Sequence, residues 1–352
     1  MEKAMNSNIY SGLRWLLDSG IQAENGGVYR GLRAPANEPA HISTEATAWY
    51  VLALLHVGQA EGVQLDRAEK AGRYLMEQAR DVTTDLFSEQ SEEAGHRVAE
   101  FLSSGLVLRA LLALAKATGD NTYLTSAQGC ARAMQNRMSR VDGSFFAQYD
   151  IGMQSPMMEV EGGADQLKVA ACFMDLAEEG FHEFEYPAQL LTRWALDRCE
   201  SWDPSMAPPE DRAREMNNYG LFLEGLLPTA ALDMRTGQAL QTGLIRLETA
   251  ILEANGSSTP EGLARLLRLR LYLDAFGMME LDYGRAKAEA EELASRQMSS
   301  IDPRFDGAFT VKPNEDRDRE LRPETTAVAV QALEMWDEVD DGGFREHWRA
   351  LI

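Results

Sequence analysis

Residues 22–55 read QAENGGVYRGLRAPANEPAHISTEATAWYVLALL, and the pattern within this stretch occurs three times along the chain. A Gln precedes a glycine turn and an aromatic residue, and a Glu then opens an apolar helical segment. The pattern returns as Gln135, DGSF (142–145) and Glu161, and again as Gln297, DGAF (306–309) and Glu324. The interval from the turn glycine to the Glu is 18 (27 to 45), 18 (143 to 161) and 17 (307 to 324) residues. This spacing predicts a repeated helical unit that places a carboxylate at a helix entrance.

Hydrophobic periodicity predicts helices along nearly the whole chain, in two alternating kinds. Amphipathic helices with a broad polar face are predicted over 7–20, 66–80, 121–138, 184–201, 232–254 and 282–298. More apolar helices are predicted over 43–57, 98–117, 163–178, 216–227, 260–276 and 323–338. A helix with one polar face belongs outside, and a helix that is apolar nearly all round belongs inside. The sequence therefore predicts an all-α fold with an inner and an outer ring of six helices each, formed by residues 1–352 as one domain.

The connections predicted between these helices are asymmetric. Links from an inner helix to the next outer helix are mostly short, whereas links into an inner helix are mostly long and carry the glycine turns. Strand signals are confined to short patches beside these turns. The long loops therefore gather on one face, with short β-hairpin elements, and the inner helices point their N-termini towards it. Loops of this kind form clefts, and helix N-termini favour developing negative charge.

Composition restricts the classes of partner. The chain has 352 residues, a net charge of −22 and 45% hydrophobic residues. A large core is therefore available, but the basic surface that nucleic acid or an anionic membrane requires is missing. The N-terminal segment has no secretory signal, and we find no apolar run of about 18 residues. The three cysteines, Cys130, Cys172 and Cys199, are far apart without metal-ligand spacing, so we expect free thiols in the cytoplasm and no zinc or other cofactor.

The glycine-turn motifs and the predicted rings resemble the (α/α)6 toroid superfamily. Gln135 with DGSFF (142–146), and the long loop to Glu161 and Asp165, resemble the six-hairpin glycosidases, which include unsaturated-uronyl hydrolases and related sugar epimerases and lyases. QAENGGVYRG with STEATAWYVLALL equally resembles the repeats of squalene-cyclase and prenyltransferase toroids. The first resemblance implies a carbohydrate-active enzyme, and the second implies an isoprenoid enzyme.

Departures from each branch decide between them. Terpene cyclases of this type carry a DxDD motif and protein prenyltransferases an Asp/Cys/His zinc site, and neither is visible in this sequence. The similar sugar epimerases rely on several histidines, but only His41 and His96 precede inner helices here. Glycosidases require only a pair of carboxylates. We therefore expect a glycoside hydrolase acting on an oligosaccharide or uronic-acid-containing glycan. The alternatives are a lyase or an epimerase, a terpene-cyclase- or prenyltransferase-like toroid, and a non-catalytic glycan- or peptide-binding toroid.

Catalytic candidates are the acids at the entrances of inner helices. We expect the catalytic set to be Glu45, Asp165, Glu161 and Glu324, with Glu45 and Asp165 as the preferred pair. Burial beside Trp49 and Phe145 would raise the pKa of the acid member. The alternative is helix capping, because acidic residues are favoured in any first helical turn.

Substrate-binding candidates surround the same loops. Aromatic residues stack on sugar rings, arginines clamp a uronate carboxylate, and polar residues hydrogen-bond hydroxyls. The set is Tyr29, Arg30, His41, Trp49, Glu100, Phe145, Tyr149, Trp202, Asn218, Tyr219 and Arg322. Among the aromatic residues, Tyr149 and Trp202 lie in polar loops and are the ones we expect to face ligand. The alternatives are packing for the aromatic residues, surface ion pairs for the arginines and a helix cap at Asn217.

Overall fold

The computed structural model describes residues 2–34, 38–58, 60–90, 96–160, 162–254, 258–310 and 319–340, together with Arg349 and Leu351. Twelve α-helices occur in these residues, as predicted. The outer helices are α1 (Glu2–Asp18), α3 (Val63–Tyr74), α5 (Asn121–Met138), α7 (Glu185–Leu196), α9 (Met234–Glu253) and α11 (Tyr283–Ser295). The inner helices are α2 (Thr44–His56), α4 (Phe101–Thr118), α6 (Leu167–Glu178), α8 (Arg212–Ala230), α10 (Pro260–Ala275) and α12 (Pro323–Asp340).

The inner helices form a closed ring. Each packs against the next inner helix along the chain, and α12 packs against α2. Each inner helix also packs against the outer helix that follows it, and the N-terminal helix α1 completes the series by packing on α12. Burial follows this arrangement, because 13 of the 18 residues of α4 are buried but only three of the 12 in α3. The fold is an (α/α)6 toroid.

Helix α4 is apolar enough in composition to span a membrane, and it is the one such helix in the described residues. Its position explains this composition, since 72% of its length is buried inside the protein. An inner helix of the ring is covered by neighbours on nearly every side and has to be apolar there.

Short strands join the long loops on one face of the ring. Strands β1 (Val28–Tyr29) and β4 (Ile42–Ser43) pair with each other, and β2 (Leu32–Ala34) lies between β3 (Glu38–Pro39) and β9 (Arg319–Leu321). The other sheet has the order β5 (Glu89–Gln90), β6 (Arg97–Glu100), β7 (Gln148–Asp150) and β8 (Ser155–Pro156). All pairs are antiparallel. Strand pairing therefore connects the loops before α12 and α2, and those before α4 and α6.

The repeated glycine turn has one local structure. Gly26, Gly143 and Gly307 have φ values of 97°, 89° and 96°, a left-handed conformation that glycine adopts without steric cost. A Cβ atom at Gly26 would also lie 2.3 Å from the carbonyl oxygen of Lys70 on α3. The turn thus packs directly on the backbone of an outer helix, and a side chain would separate the two.

The residue after each turn is tied to the next inner helix. The backbone N–H of Val28 donates to the Thr47 hydroxyl at 3.0 Å, and the N–H of Phe309 donates to the Thr326 hydroxyl at 3.2 Å. In each case the acceptor lies two residues after the motif Glu. These bonds fix the distance between turn and helix entrance, so Glu45 and Glu324 occupy equivalent positions in the first and third copies.

The second copy has a different register. There Gln166 exchanges both hydrogen bonds with the backbone of Phe145, at 3.2 and 2.7 Å. Ala164 lies two residues before Gln166, so the position equivalent to Glu45 holds an alanine in this copy. Glu161, the predicted third carboxylate, lies outside the described residues.

Several predicted boundaries are wrong. Helix α1 begins at Glu2 instead of 7, α6 begins at Leu167 instead of 163, and α3 ends at Tyr74, where a π-helix continues to Ala79.

Helix α8 begins at Arg212 instead of 216, because Arg, Ala, Glu and Met favour helix and continue it back into the predicted loop. Helix α7 ends at Leu196, before the predicted 201, and a 3₁₀ turn covers Cys199–Ser201. The earlier start of α8 puts Asn217 inside the helix, so the predicted alternative of an N-cap at Asn217 is also wrong.

Candidate active site

A cavity of about 350 Å³ opens at the centre of the loop face. The N-terminal parts of four inner helices, α2, α4, α8 and α12, surround it together with the loops that enter them. Its lining residues are Arg30, Ser43, Glu45, Ala46, Trp49, Glu89, Glu100, Leu102, Arg214, Asn217, Asn218, Leu221, Arg322, Pro323 and Glu324. The structure therefore gathers carboxylates, guanidinium groups and amides around one concave surface.

Seven of the candidate residues from the sequence line this cavity. They are Glu45, Glu324, Arg30, Trp49, Glu100, Asn218 and Arg322. They come from positions as far apart as 30 and 324 in the chain. The closure of the ring between α12 and α2 is what brings its first and last members together.

Two of the four acids in the lining are engaged in structural hydrogen bonds. Glu89 accepts a hydrogen bond from the backbone N–H of Thr44 at 3.0 Å, at the entrance of α2. Glu100 accepts hydrogen bonds from the Ser103 hydroxyl at 3.2 Å and from the Gln148 amide at 3.1 Å. Both carboxylates therefore hold loop and helix ends in place.

Glu45 is free of such a capping role. The N-cap of α2 is Ser43, whose side chain accepts from the N–H of Ala46. The carboxylate of Glu45 instead accepts a hydrogen bond from the Trp49 indole N–H at 3.3 Å. Burial raises the pKa of Glu45 to about 8, and the negative charges of Glu324 and Glu100 add to the rise. Glu45 is therefore mostly protonated at neutral pH.

Glu324 faces a different electrostatic environment. Its pKa is raised, because burial and the charge of Glu261 outweigh the opposing effect of Arg265, Arg322 and Arg30. No described residue donates a hydrogen bond to its carboxylate. Glu45 and Glu324 are thus two acids on neighbouring inner helices, facing one cavity, without a capping bond.

Asp165 lies outside the cavity lining. It belongs to the 3₁₀ turn Ala164–Gln166 that precedes α6, and its own N–H and that of Gln166 bond to its carboxylate. Burial raises the pKa of Asp165 to about 6, and Glu215 and Glu100 contribute to the rise. The structure therefore pairs Glu45 with Glu324 across this cavity, and not with Asp165 as the sequence suggested.

The arginines of the cavity differ in how far they are engaged. Arg322 is bound through two nitrogens to Glu320, at 2.7 and 3.2 Å, and Arg214 pairs with Asp211 and Glu215 on its own helix. Arg30 is exposed and pairs with no described acid. Arg30 is therefore the guanidinium most available to an incoming carboxylate.

Three of the aromatic candidates for substrate binding are buried in the core, among them Tyr149, which was expected to face ligand. Phe145 is 3% exposed and stacks on Phe101 with ring centroids 4.3 Å apart. Tyr149 and Tyr219 are each 2% exposed. Packing explains all three, because Phe145 follows a glycine turn, Tyr149 lies on β7 and Tyr219 lies on the inner helix α8, each against the core.

Three further candidates lie away from the lining. Trp202 is half-buried between Trp194 and Phe222, with ring centroids 5.4 and 5.5 Å away. Tyr29 is half-buried in β1, where it packs against the core. His41 is exposed. Its backbone oxygen accepts from the N–H of Arg30, and its imidazole opposes the rise in the pKa of the lining residue Glu89. Of the four histidines in the described residues, none lines the cavity.

Several residues of the site were not selected from the sequence. Glu89 was missed because it lies in an acid-rich loop where no periodicity distinguishes one Glu from another. Arg214 was missed because α8 was expected to begin after it. Asn217 was considered, and its side-chain oxygen is buried without a hydrogen-bond partner among the described residues. A hydroxyl or ammonium donor in the cavity would satisfy that oxygen.

Comparison with known proteins finds similar structures but no similar sequence. No protein-family model and no curated protein sequence matches the chain. Solved structures do match over nearly its whole length. These structures share the (α/α)6 toroid fold of this protein.

Several of the similar structures are those of carbohydrate-active enzymes. Cellobiose 2-epimerase from Spirochaeta thermophila DSM 6192 is 14% identical with a TM-score of 0.68, over 96% of this chain and 97% of that one. An unsaturated glucuronyl hydrolase specific for heparin is 10% identical with a TM-score of 0.63, over 98% and 100%. A GH76 α-mannanase from Bacteroides thetaiotaomicron is 10% identical with a TM-score of 0.59, over 96% of each chain. At such identities the likeness establishes the fold of this protein.

Proposed function

We propose that this toroid is a carbohydrate-active enzyme, a glycoside hydrolase that acts on an oligosaccharide containing a uronic acid. The observation that carries the proposal is the pair Glu45 and Glu324 in one cavity, one carboxyl held protonated and the other beside arginines. Cleavage of a glycosidic bond needs one carboxylic acid to protonate the leaving oxygen and a second carboxylate as base or nucleophile. Glu45 is the acid in this proposal, and Glu324 is the second carboxylate.

The remaining lining residues suit an acidic sugar. Arg30 and Arg322 supply guanidinium groups for a uronate carboxylate, with which they can form paired charge-assisted hydrogen bonds. Asn217 and Asn218 supply amides for hydroxyl groups. The similar structures include a glucuronyl hydrolase and a mannanase, which supports a sugar substrate. An isoprenoid cyclase is less well supported, because seven lining residues are charged and Trp49 is the one aromatic residue among the described lining.

We also propose a cytoplasmic protein that acts without nucleic acid or a membrane as partner. The three cysteines are free, and Cys130 and Cys172 are buried, which suits a reducing compartment. The net charge of −22 disfavours polyanionic partners.

The test is a turnover screen with matched variants. Unsaturated uronide disaccharides, aryl uronides and neutral oligosaccharides are incubated with the protein, and products are separated by chromatography and identified by mass. We expect hydrolysis of a uronide, and Glu45→Gln and Glu324→Gln each to lower kcat by about 10²–10⁴-fold. Asp165→Asn is expected to retain most of the activity.

Glu334→Gln is the control for Glu324→Gln. Glu334 lies on the same helix, has a pKa raised to about 7 by burial, and bonds the N–H of Gly58 away from the cavity. The Glu334→Gln variant should therefore leave kcat unchanged. Full activity in both Glu45→Gln and Glu324→Gln would disprove the assigned pair. Saturable binding of the same glycans without turnover would instead indicate a non-catalytic binding toroid.

A further inference from the structure

Arg265 lies beneath the cavity and is completely buried. It comes from α10, which does not contribute a residue to the described lining. Its guanidinium carbon is 5.6 Å from the centre of the Trp49 ring. On the other side its stem passes Gly220 of α8, where a Cβ atom would lie 2.5 Å from the Arg265 Cδ. The side chain therefore occupies a space that the absence of a side chain at position 220 leaves open.

The charge of Arg265 lies between two carboxylates. Its Nη1 is 3.8 Å from Oε1 of Glu224 in the core, and its Nη2 is 3.7 Å from Oε1 of Glu324 in the cavity wall. Both distances exceed those of hydrogen bonds, and its three nitrogens have no hydrogen-bond partner among the described residues. A buried guanidinium with unmet donors is stabilised by any negative charge that stays beside it.

Glu224 cannot fully compensate Arg265, because it is shared. Its other oxygen accepts from Lys168 at 2.9 Å, and Arg268 bonds the same oxygen that Arg265 faces. Three buried basic side chains thus surround one core carboxylate, although burial lowers the pKa of Lys168 to about 7. The second negative charge that Arg265 needs is available at Glu324.

We propose that Arg265 is a positioning residue that holds Glu324 as the negatively charged member of the carboxylate pair and so leaves Glu45 as the proton donor. The proposal rests on the proposed function, since it explains how two glutamates at equivalent places in the repeat take different roles. Two like carboxyls divide into acid and base when their surroundings favour opposite states.

The surroundings of the two carboxyls differ in this way. Glu45, on α2, faces the acids Glu324, Glu100 and Glu89 and the neutral indole of Trp49.

Glu324, on α12, faces Glu45 and Glu261 of α10, but also the three arginines Arg265, Arg322 and Arg30. Of these arginines, Arg322 has a side chain that is 41% exposed and Arg30 is exposed, so solvent screens both charges. The charge of Arg265 is completely buried and is screened least.

The test follows the carboxyl titrations directly. The protein is labelled with ¹³C at the glutamate carboxyl carbon, and the resonances of residues 45 and 324 are assigned with Glu45→Gln and Glu324→Gln. Arg265→Met keeps the length of the stem and removes the charge. In this variant we expect the apparent pKa of the first deprotonation of the pair to rise by about one unit or more. Arg265→Lys should keep most of the natural value.

Arg270→Met is the matched control. Arg270 lies on the same helix and is almost as buried, but its guanidinium pairs with Glu289 and Glu248 of the outer helices. Its replacement should lower stability and leave the titration of the pair unchanged. Gly220→Ala provides a second perturbation, because the added Cβ pushes Arg265 aside without removing its charge. Gly220→Ala should raise the apparent pKa of the first deprotonation by a smaller amount.

The outcomes separate the two proposals. An unchanged titration in both Arg265→Met and Gly220→Ala would overturn the role of Arg265, whatever the activity of the protein. If a substrate is found, the acid limb of the plot of kcat/KM against pH should move to higher pH in Arg265→Met by the same amount as the titration. If no substrate is found while the titration moves as expected, the proposed function fails and the electrostatic role of Arg265 stands.

Discussion

Glu45 shows how the surroundings of a glutamate decide its hydrogen bonds and its protonation state. Several glutamates stand at helix entrances, and first-turn acids are ordinary in helices. The structure assigns the capping role to Ser43 and Glu89, which leaves the half-buried Glu45 to accept a hydrogen bond from Trp49. The sequence could place Glu45 at the entrance of α2. It could not show which neighbours share its hydrogen bonds.

The raised pKa of Glu45 predicts a pH-dependent stability. The folded-state pKa, about 8, lies above the ordinary value of 4.5, so the folded protein holds this proton more tightly than the unfolded chain. The resulting stabilisation is fully present below about pH 4.5 and is lost as the pH rises to about 8.

We therefore expect the Tm of the natural protein to fall between pH 5 and pH 8 by more than that of Glu45→Gln, as measured by calorimetry. Glu61→Gln, at an exposed position, should follow the natural protein. Equal falls in Glu45→Gln and the natural protein would contradict the buried, protonated state of Glu45.

At the scale of the element, the glycine turn and the inner helix form one unit. The turn packs on an outer helix through Gly26, and the N–H of Val28 is held by Thr47 of α2. The repeat was recognisable in the sequence because the glycine turn and the Glu that follows it are a short, nearly constant distance apart along the chain. The register of its second copy was not, since Gln166 replaces the threonine and shifts the equivalent position to Ala164.

Gly26→Ala tests the close approach of the turn to α3. Gly20 is a matched control, because it also has a positive φ, 82°, but has no atom within 4 Å of a Cβ placed there. We expect Gly20→Ala to lower the free energy of unfolding by about 1 kcal/mol through backbone strain alone. Gly26→Ala should cost at least about 2 kcal/mol more, because its Cβ meets backbone that cannot move away. Equal losses in urea denaturation would show that the turn can shift freely.

At the scale of the whole molecule, a buried ionic network fills the axis of the ring. Lys168 of α6, Glu224 of α8 and Arg268 of α10 are each at most 2% exposed and bond to one another through Glu224. Burial would raise the pKa of Glu224, but the neighbouring cations lower it to about 2. The carboxylate therefore stays ionised in the core.

Removal of Glu224 should be costly. Glu224→Gln leaves three buried cations without their shared anion, and we expect the free energy of unfolding to fall by about 3–5 kcal/mol. Glu200→Gln is the comparison: it also removes an arginine partner, Arg246, but Glu200 is 80% exposed. The loss there should be at most about 1 kcal/mol. Similar losses in chemical denaturation would contradict a network that holds the ring together.

The sequence by itself determined the helical class, the alternation of inner and outer helices and the face on which the long loops lie. These features follow from periodicity and from spacings within about 20 residues. It also placed Glu45, Glu324, Arg30 and Arg322 among the site candidates.

Only the tertiary structure decided which of those candidates meet. Ring closure between α12 and α2 pairs Glu45 with Glu324 and leaves Asp165 outside the lining, and core packing buries Phe145 and Tyr149. Arg265 gave no signal in the sequence, because α10 carries three arginines, Arg265, Arg268 and Arg270, and their spacing does not reveal which one lies between two carboxylates. Contact and burial depend on chain segments hundreds of residues apart, whereas periodicity reports only on near neighbours.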